Sequence, residues 1–207
     1  MEPTRSRHLR AQIASTRINN WKGRSFVPFH SLAHIIDAET VQNVIEECGI
    51  EVYRSHEASE AVLKGGKRVF GVLNAMGKEK FILNFKKTDP FLDRPLDSGL
   101  PFEEQALKSI LPNDYRDFYD WQWSFASPVF KKDLHERNLP EETILPFTAV
   151  VKSRNQGAFA KVSRVKLPSS HQEIFQTSSS EVYNRLAVNH AIRANLFFCR
   201  LKLFGKS

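Results

Sequence analysis

The sequence predicts an α+β fold, a mostly helical region followed by a partial antiparallel β-sheet. Three observations carry that expectation. Between residues 38 and 125, apolar residues recur at the three-to-four spacing of amphipathic helices. From residue 147 the pattern changes to short, valine-rich, alternating segments, as half-buried strands require. Between the two, residues 140–146 open and close on Pro140 and Pro146, which reads as a linker. The expected division is a disordered basic tail (1–25), a helical region (26–130), a linker (131–146) and a partial sheet domain (147–207).

Residues 1–25 are polar, with six basic residues and one acidic, and no sustained apolar period. Phe26-Val27-Pro28-Phe29 is a short apolar anchor, and Pro28 disfavours a helix there. The clearest helix spans 38–48. Asp37 is a suitable N-cap, Val41, Val44, Ile45 and Cys48 fall on one face, and Gly49 is placed to end it. Cys48, on that apolar face, reads as a core residue. A second helical stretch covers 59–76, with a weak point at Gly65-Gly66. Its face is Val69, Phe70, Leu73 and Met76, and Gly77 stops it.

Phe81, Ile82 and Phe85 form a short apolar segment, either a strand or a helical turn, and 89–101 is a loop rich in Pro, Asp and Gly. Residues 102–111 read as a helix ended by Pro112. Residues 115–125 read as another, capped by Asn113 or Asp114, with Phe118, Trp121, Gln122 and Phe125 along one side. Strands are expected at 147–152, 161–167 and 185–190, the last two joined by a polar, serine-rich connection at 171–183.

Composition narrows the function classes. The 207 residues are 41% hydrophobic and include 16 Phe, enough for a real core. No run approaches the roughly 20 apolar residues of a membrane span, and residues 1–24 lack the apolar core of a secretory signal. Cys48 and Cys199 are far apart and match no metal spacing. Both are read as reduced thiols of an intracellular protein, cytoplasmic or nuclear. The net charge of +7 is uneven. Residues 26–142 carry 14 basic and 20 acidic residues, whereas residues 143–207 carry ten basic and two acidic. No recognised binding motif accompanies the basic ends, so no nucleic-acid partner is expected from the sequence.

Other side chains have ordinary readings. His30 and His34 lie at i, i+4 but lack a third ligand, so no metal is expected. Asp114, Asp117 and Asp120 read as a solvated acidic helix face. Trp121, Trp123 and Phe125 read as packing residues. The apolar and basic tail 193–207, with Leu196, Phe197, Phe198, Leu201, Leu203 and Phe204, is either the start of a truncated lobe, a non-native end or an amphipathic surface helix.

Residues 143–189 hold the motif with chemical content. Asn155-Gln156-Gly157-Ala158-Phe159-Ala160-Lys161-Val162 lies on the G-x-G-x-x-G-x-V pattern, keeping the middle glycine and the valine. Leu186-Ala187-Val188-Asn189 lies on V-A-I-K, with Asn189 at the lysine position. Upstream stand Asp120-Trp121-Gln122-Trp123-Ser124-Phe125-Ala126-Ser127-Pro128-Val129-Phe130 and Ile144-Leu145-Pro146-Phe147-Thr148. Lys161 to Leu167 then runs into Pro168-Ser169-Ser170-His171. Lys67-Arg68-Val69-Phe70-Gly71-Val72-Leu73 and Leu100-Pro101-Phe102 belong to the same set.

Together these segments resemble the serine/threonine protein-kinase-like proteins of filamentous fungi, over roughly residues 26–189. The resemblance implies a helical region ahead of the first strands of a kinase amino-terminal lobe, with packing of the Trp121 segment against that lobe. It implies an ATP site in which Asn155, Gly157, Ala158 and Phe159 form the loop over the phosphates. Val162 and Ala187 would form the ceiling over adenine, and Asn189 would stand where a lysine contacts the phosphates. It implies no catalytic residue, because the chain holds no H-R-D loop and no D-F-G aspartate. Asn155 and Ala160 replace the outer glycines, which weakens phosphate cradling, and neutral Asn189 removes a point charge.

The expected function is a truncated kinase-like protein without phosphotransfer and with at most weak ATP binding. The alternatives are a non-enzymatic regulatory module that engages a protein partner through the helical region, or an incomplete form of a full-length kinase.

Overall fold

The computed structural model describes residues 4–87, 94–131, 136–157, 160–173, 186–193 and 196–203, the side chains of 136–138, 151–164 and 186–203 excepted. The chain forms two compact units, each built from two separate stretches. The first comprises Met1–Arg17 and His30–Ala126, and the second Ile18–Phe29 and Ser127–Ser207. Among the described residues no helix is long and apolar enough to cross a membrane.

The first unit is helical. α1 (Arg5–Ser15) occupies the stretch for which the sequence predicts a disordered tail. Thr4 caps it, its hydroxyl accepting from Arg7 N at 3.3 Å. Leu9 and Ile13, four residues apart, are buried. Polar contacts pin the same helix. The Glu79 carboxylate, only 4% exposed, accepts from Asn74 Nδ2 at 2.6 Å and from the Ser6 hydroxyl. Arg10 Nε donates to Asn74 O at 2.7 Å. A buried carboxylate is tolerated because these donors replace water.

α2 (Ser31–Ile35) leads to α3 (Ala38–Glu47). Asp37 caps α3, accepting from Thr40 N at 2.8 Å, and that bond holds the Asp37 carboxyl below its ordinary value. Its contribution to the cap is therefore present at neutral pH and is lost on acidification below the ordinary aspartate range. Val41, Val44 and Ile45 are fully buried, as their spacing requires.

The weak point at Gly65-Gly66 is a complete break. α4 (Val52–Leu63) starts earlier than its periodicity indicates, and α5 (Lys67–Met76) follows as a separate helix. Gly65 has φ +130°, and a Cβ there would lie 2.5 Å from Pro95 Cβ, so only glycine fits. Asp97 bonds the amides that open α5, accepting from Val69 N at 2.9 Å and Arg68 N at 3.1 Å. Burial still pushes the Asp97 carboxyl up, against the pull of those bonds.

Phe81 and Ile82 lie in a helical rather than an extended segment, a 3-10 turn (Glu79–Phe81) running into α6 (Ile82–Lys87). α7 (Glu104–Ile110) and α8 (Tyr115–Gln122) complete the unit. Phe85 packs on Phe102 and Phe118 at ring separations of 5.3 and 4.9 Å. The buried Gln122 amide accepts from Phe102 N and donates to Phe102 O. Trp123 and Phe125 are buried within this unit, Phe125 against Gly71, where a Cβ would approach its ring to 2.8 Å.

The second unit is a β structure. β1 (Ile18–Asn19) and β2 (Ser25–Phe26) pair antiparallel. β3 (Phe130–Lys131) pairs in parallel with β7 (Gln172–Glu173). The main sheet contains β4 (Glu136–Leu139), β5 (Ala149–Gly157), β6 (Ala160–Lys166), β8 (Leu186–Arg193) and β9 (Leu196–Leu203). Its order is β4-β9-β8-β6-β5, antiparallel throughout.

Three expectations change here. The sheet has five strands rather than three. The tail that the sequence left as a lobe fragment or a surface helix supplies β9, which pairs along the whole of β8. The stretch 131–146 is not a free linker, because 136–139 forms β4 and Ile144, Leu145 and Phe147 are buried. The core of the unit is Phe130, Leu145, Phe147, Val165 and Leu167, with Trp21, Leu139 and Val150 against it. Residues 174–183 of the serine-rich connection lie outside the described residues.

Because Leu9 is fully buried, Leu9→Ala should lower unfolding stability by about 2–5 kcal/mol in urea denaturation. A stability equal to the parent's would return residues 5–15 to the status of a tail.

Candidate functional site

The hairpin β5–β6 and the strand β8 position the motif residues. Gly157 lies opposite Ala160, Val162 opposite Asn189, and Ala187 opposite Arg164. Directly opposed residues share a face, and alternate residues along a strand return to it. Gly157, Val162, Ala187 and Asn189 therefore belong to one face of the sheet. Asn155 has no assigned cross-strand partner. Between the pairs Lys152–Ser163 and Gln156–Lys161, residues 153–155 of β5 stand opposite Val162 alone, an irregularity of the bulge type. Ala158 and Phe159 lie outside the described residues.

The neighbours of this group matter chemically. The strand beyond Asn189 presents Arg200 directly opposite it, and β4 presents Glu136 opposite Arg200. Only two residues separate the paired Arg193 and Leu196 in sequence. Among the described residues no three His, Cys, Asp or Glu side chains gather as metal ligands.

Sequence reasoning gave His171 no role beyond its place in the Pro-Ser-Ser-His segment. The structure buries it and uses both ring nitrogens. Phe29 N donates to Nε2 at 3.2 Å, and Nδ1 lies 3.0 Å from Pro128 O. A backbone N–H can only donate, so Nε2 is the acceptor and Nδ1 carries the proton that reaches Pro128. Phe26 meets the ring edge-on, with centroids 5.1 Å apart. Three distant stretches of one unit meet at this imidazole.

Cys48 is half-buried, and its thiol is pushed up to about 11, first by burial and then by the carboxylates of Glu79 and Glu47. It is accordingly a poor nucleophile at neutral pH. No protein-family model, characterised protein or solved structure matches the chain.

Two outcomes check this geometry. His171→Ala strands the Phe29 amide and the Pro128 carbonyl, each worth roughly 1–3 kcal/mol when left unpaired and buried. Thermal unfolding should fall accordingly, and an unchanged midpoint would remove the clamp. For Cys48, peptide mass after iodoacetamide treatment at neutral pH should show slow labelling in the folded protein and fast labelling in urea. Equal rates would contradict a thiol held up by burial.

Proposed function

We propose that the second unit is a kinase-like nucleotide-binding sheet that carries out no phosphotransfer. One observation supports this reading above the others: the register places Gly157, Val162, Ala187 and Asn189 on a common face. A glycine at the end of β5 permits close backbone approach to a phosphate. Val162 and Ala187 supply small apolar surface for a purine, and Asn189 offers an amide in place of a lysine. Residues 147–203 contain no aspartate, so this sheet by itself offers a binding surface and no group to orient an acceptor hydroxyl or hold Mg²⁺. Serine/threonine phosphorylation enters only as the family activity from which such a sheet would derive.

A second reading is favoured by a different observation. At the start of α4, Val52 is 89% exposed and Tyr53 78%, side by side on the helical unit. Apolar and aromatic side chains so placed suit a protein partner, which would make the chain a regulatory or interaction module.

Differential scanning fluorimetry with millimolar ATP decides between them. The nucleotide reading expects a rise in the unfolding temperature, since a ligand bound only by the folded state stabilises it by mass action. Asn189→Lys should enlarge that rise by restoring a cation beside the phosphates. No rise with either protein removes the nucleotide reading and leaves the interaction module.

A further inference from the structure

We propose that Ser6 is a phosphorylation site whose phosphate releases α1 from the helical unit. The ground is the set of contacts that converge on this residue. Its hydroxyl donates to the buried carboxylate of Glu79. Its N–H donates to Glu47 Oε2 at 2.8 Å. Its carbonyl accepts from Asn74 Nδ2 at 3.1 Å, and the same Nδ2 lies 3.3 Å from the hydroxyl. Glu47 ends α3, Asn74 belongs to α5 and Glu79 opens the 3-10 turn. One serine in the first turn of α1 thus ties down three other elements, two of them through carboxylates.

A phosphate at this hydroxyl is incompatible with the docked helix. It removes the donor that Glu79 takes and sets about two negative charges against two carboxylates. The groups that could offset this are already engaged. Free amides at a helix start attract phosphate, but Ser6 N–H goes to Glu47 and Arg7 N–H to the Thr4 hydroxyl. The Arg10 guanidinium donates to Asn74 O at 2.7 Å and lies 3.7 Å from Glu79. Ser15, Ser55, Ser98 and Ser127 donate instead to backbone carbonyls, and Ser25 and Ser59 to the amide oxygens of Asn19 and Gln42. Among these serines Ser6 alone donates to a carboxylate.

The site is also open to a kinase. Ser6 is part-exposed, and Arg5, Arg7 and His8 around it are exposed. Basic side chains on both sides of a serine form a charge pattern that a basic-directed serine kinase reads. α1 is anchored by two apolar side chains, Leu9 and Ile13, so its first turn opens more readily than the core helices. In the open form the γ-phosphoryl group of ATP passes to Ser6 Oγ. The new O–P bond forms as the bond to the β-phosphate breaks, ADP leaves, and the hydroxyl proton goes to the kinase's base. The modified turn then cannot dock again. Eleven residues are too few to hold a lone helix in water, so release appears as lost protection of 5–15. It also uncovers the faces of α2, α3 and α5 on which α1 packs. None of this depends on the nucleotide reading.

The test uses the full chain with phosphoserine inserted at position 6 during translation, followed by hydrogen exchange and mass spectrometry. Residues 5–15 should exchange about tenfold faster or more than in the unmodified chain, while α7 and α8 keep their protection. Ser6→Ala removes the hydroxyl bond without adding charge and should raise exchange by a smaller factor. Glu79→Gln keeps an acceptor and removes a charge, so it should restore part of the protection in the phosphorylated chain. Incubation with protein kinase C and ATP should place phosphate on Ser6, found by peptide mapping.

Exchange in 5–15 that phosphoserine leaves unchanged, or that Ser6→Ala matches, would overturn the proposal. So would kinase-treated protein without phosphate at Ser6. Loss of protection across the whole helical unit would overturn it too, by making Ser6 a folding residue rather than a switch.

Discussion

The second unit depends on a strap, residues 18–29, that arrives from far away in sequence. Trp21 N donates to Phe147 O at 2.8 Å, and its ring packs on Phe147 at 5.6 Å. Asn20 Nδ2 donates to Leu145 O at 3.1 Å, while its Oδ1 takes the amides of Lys22 and Arg24. At the far end, His171 takes the Phe29 amide. Without these bonds Phe147 and Leu145 would lose a wall, and buried carbonyls would lose their donors. The strap is fastened by particular groups, the Asn20 amide, the Trp21 N–H and ring and the imidazole that takes the Phe29 amide, so a few residues fix a segment that has no strand period of its own. The first unit repeats the logic with α1, which is fastened by Leu9 and Ile13 and by the buried Glu79.

That arrangement explains which parts of the fold are legible in the sequence. α3 is legible because cap, apolar face and terminating glycine agree over eleven residues. α1 is not, because its inward face is only Leu9 and Ile13 among basic residues, too few to set a period. The prolines at 140 and 146 point to a linker. Yet Ile144, Leu145 and Phe147 beside them are apolar, and apolar residues in an irregular segment can line a core as well as any strand. β9 is a closer case. In Leu196–Leu203 the residues Phe197, Cys199, Leu201 and Leu203 alternate with Phe198, Arg200 and Lys202, a two-residue period that competes with the helical reading of the same apolar, basic stretch.

The candidate site is less legible than the fold, for a physical reason. A motif on two strands specifies residue types, but which of them share a face is set by pairing. The count of residues in a hairpin or bulge decides that, and one residue more or less exchanges the faces. Gly157 and Val162 are five apart in sequence, so strict alternation would send them to opposite faces. They share one because Gly157 pairs with Ala160, which sets the parity anew. Asn155 falls in the irregular stretch opposite Val162, where the linear motif has no power to assign a face. His171 is illegible for a different reason, since its partners, Phe29 and Pro128, come from segments that share no pattern with it.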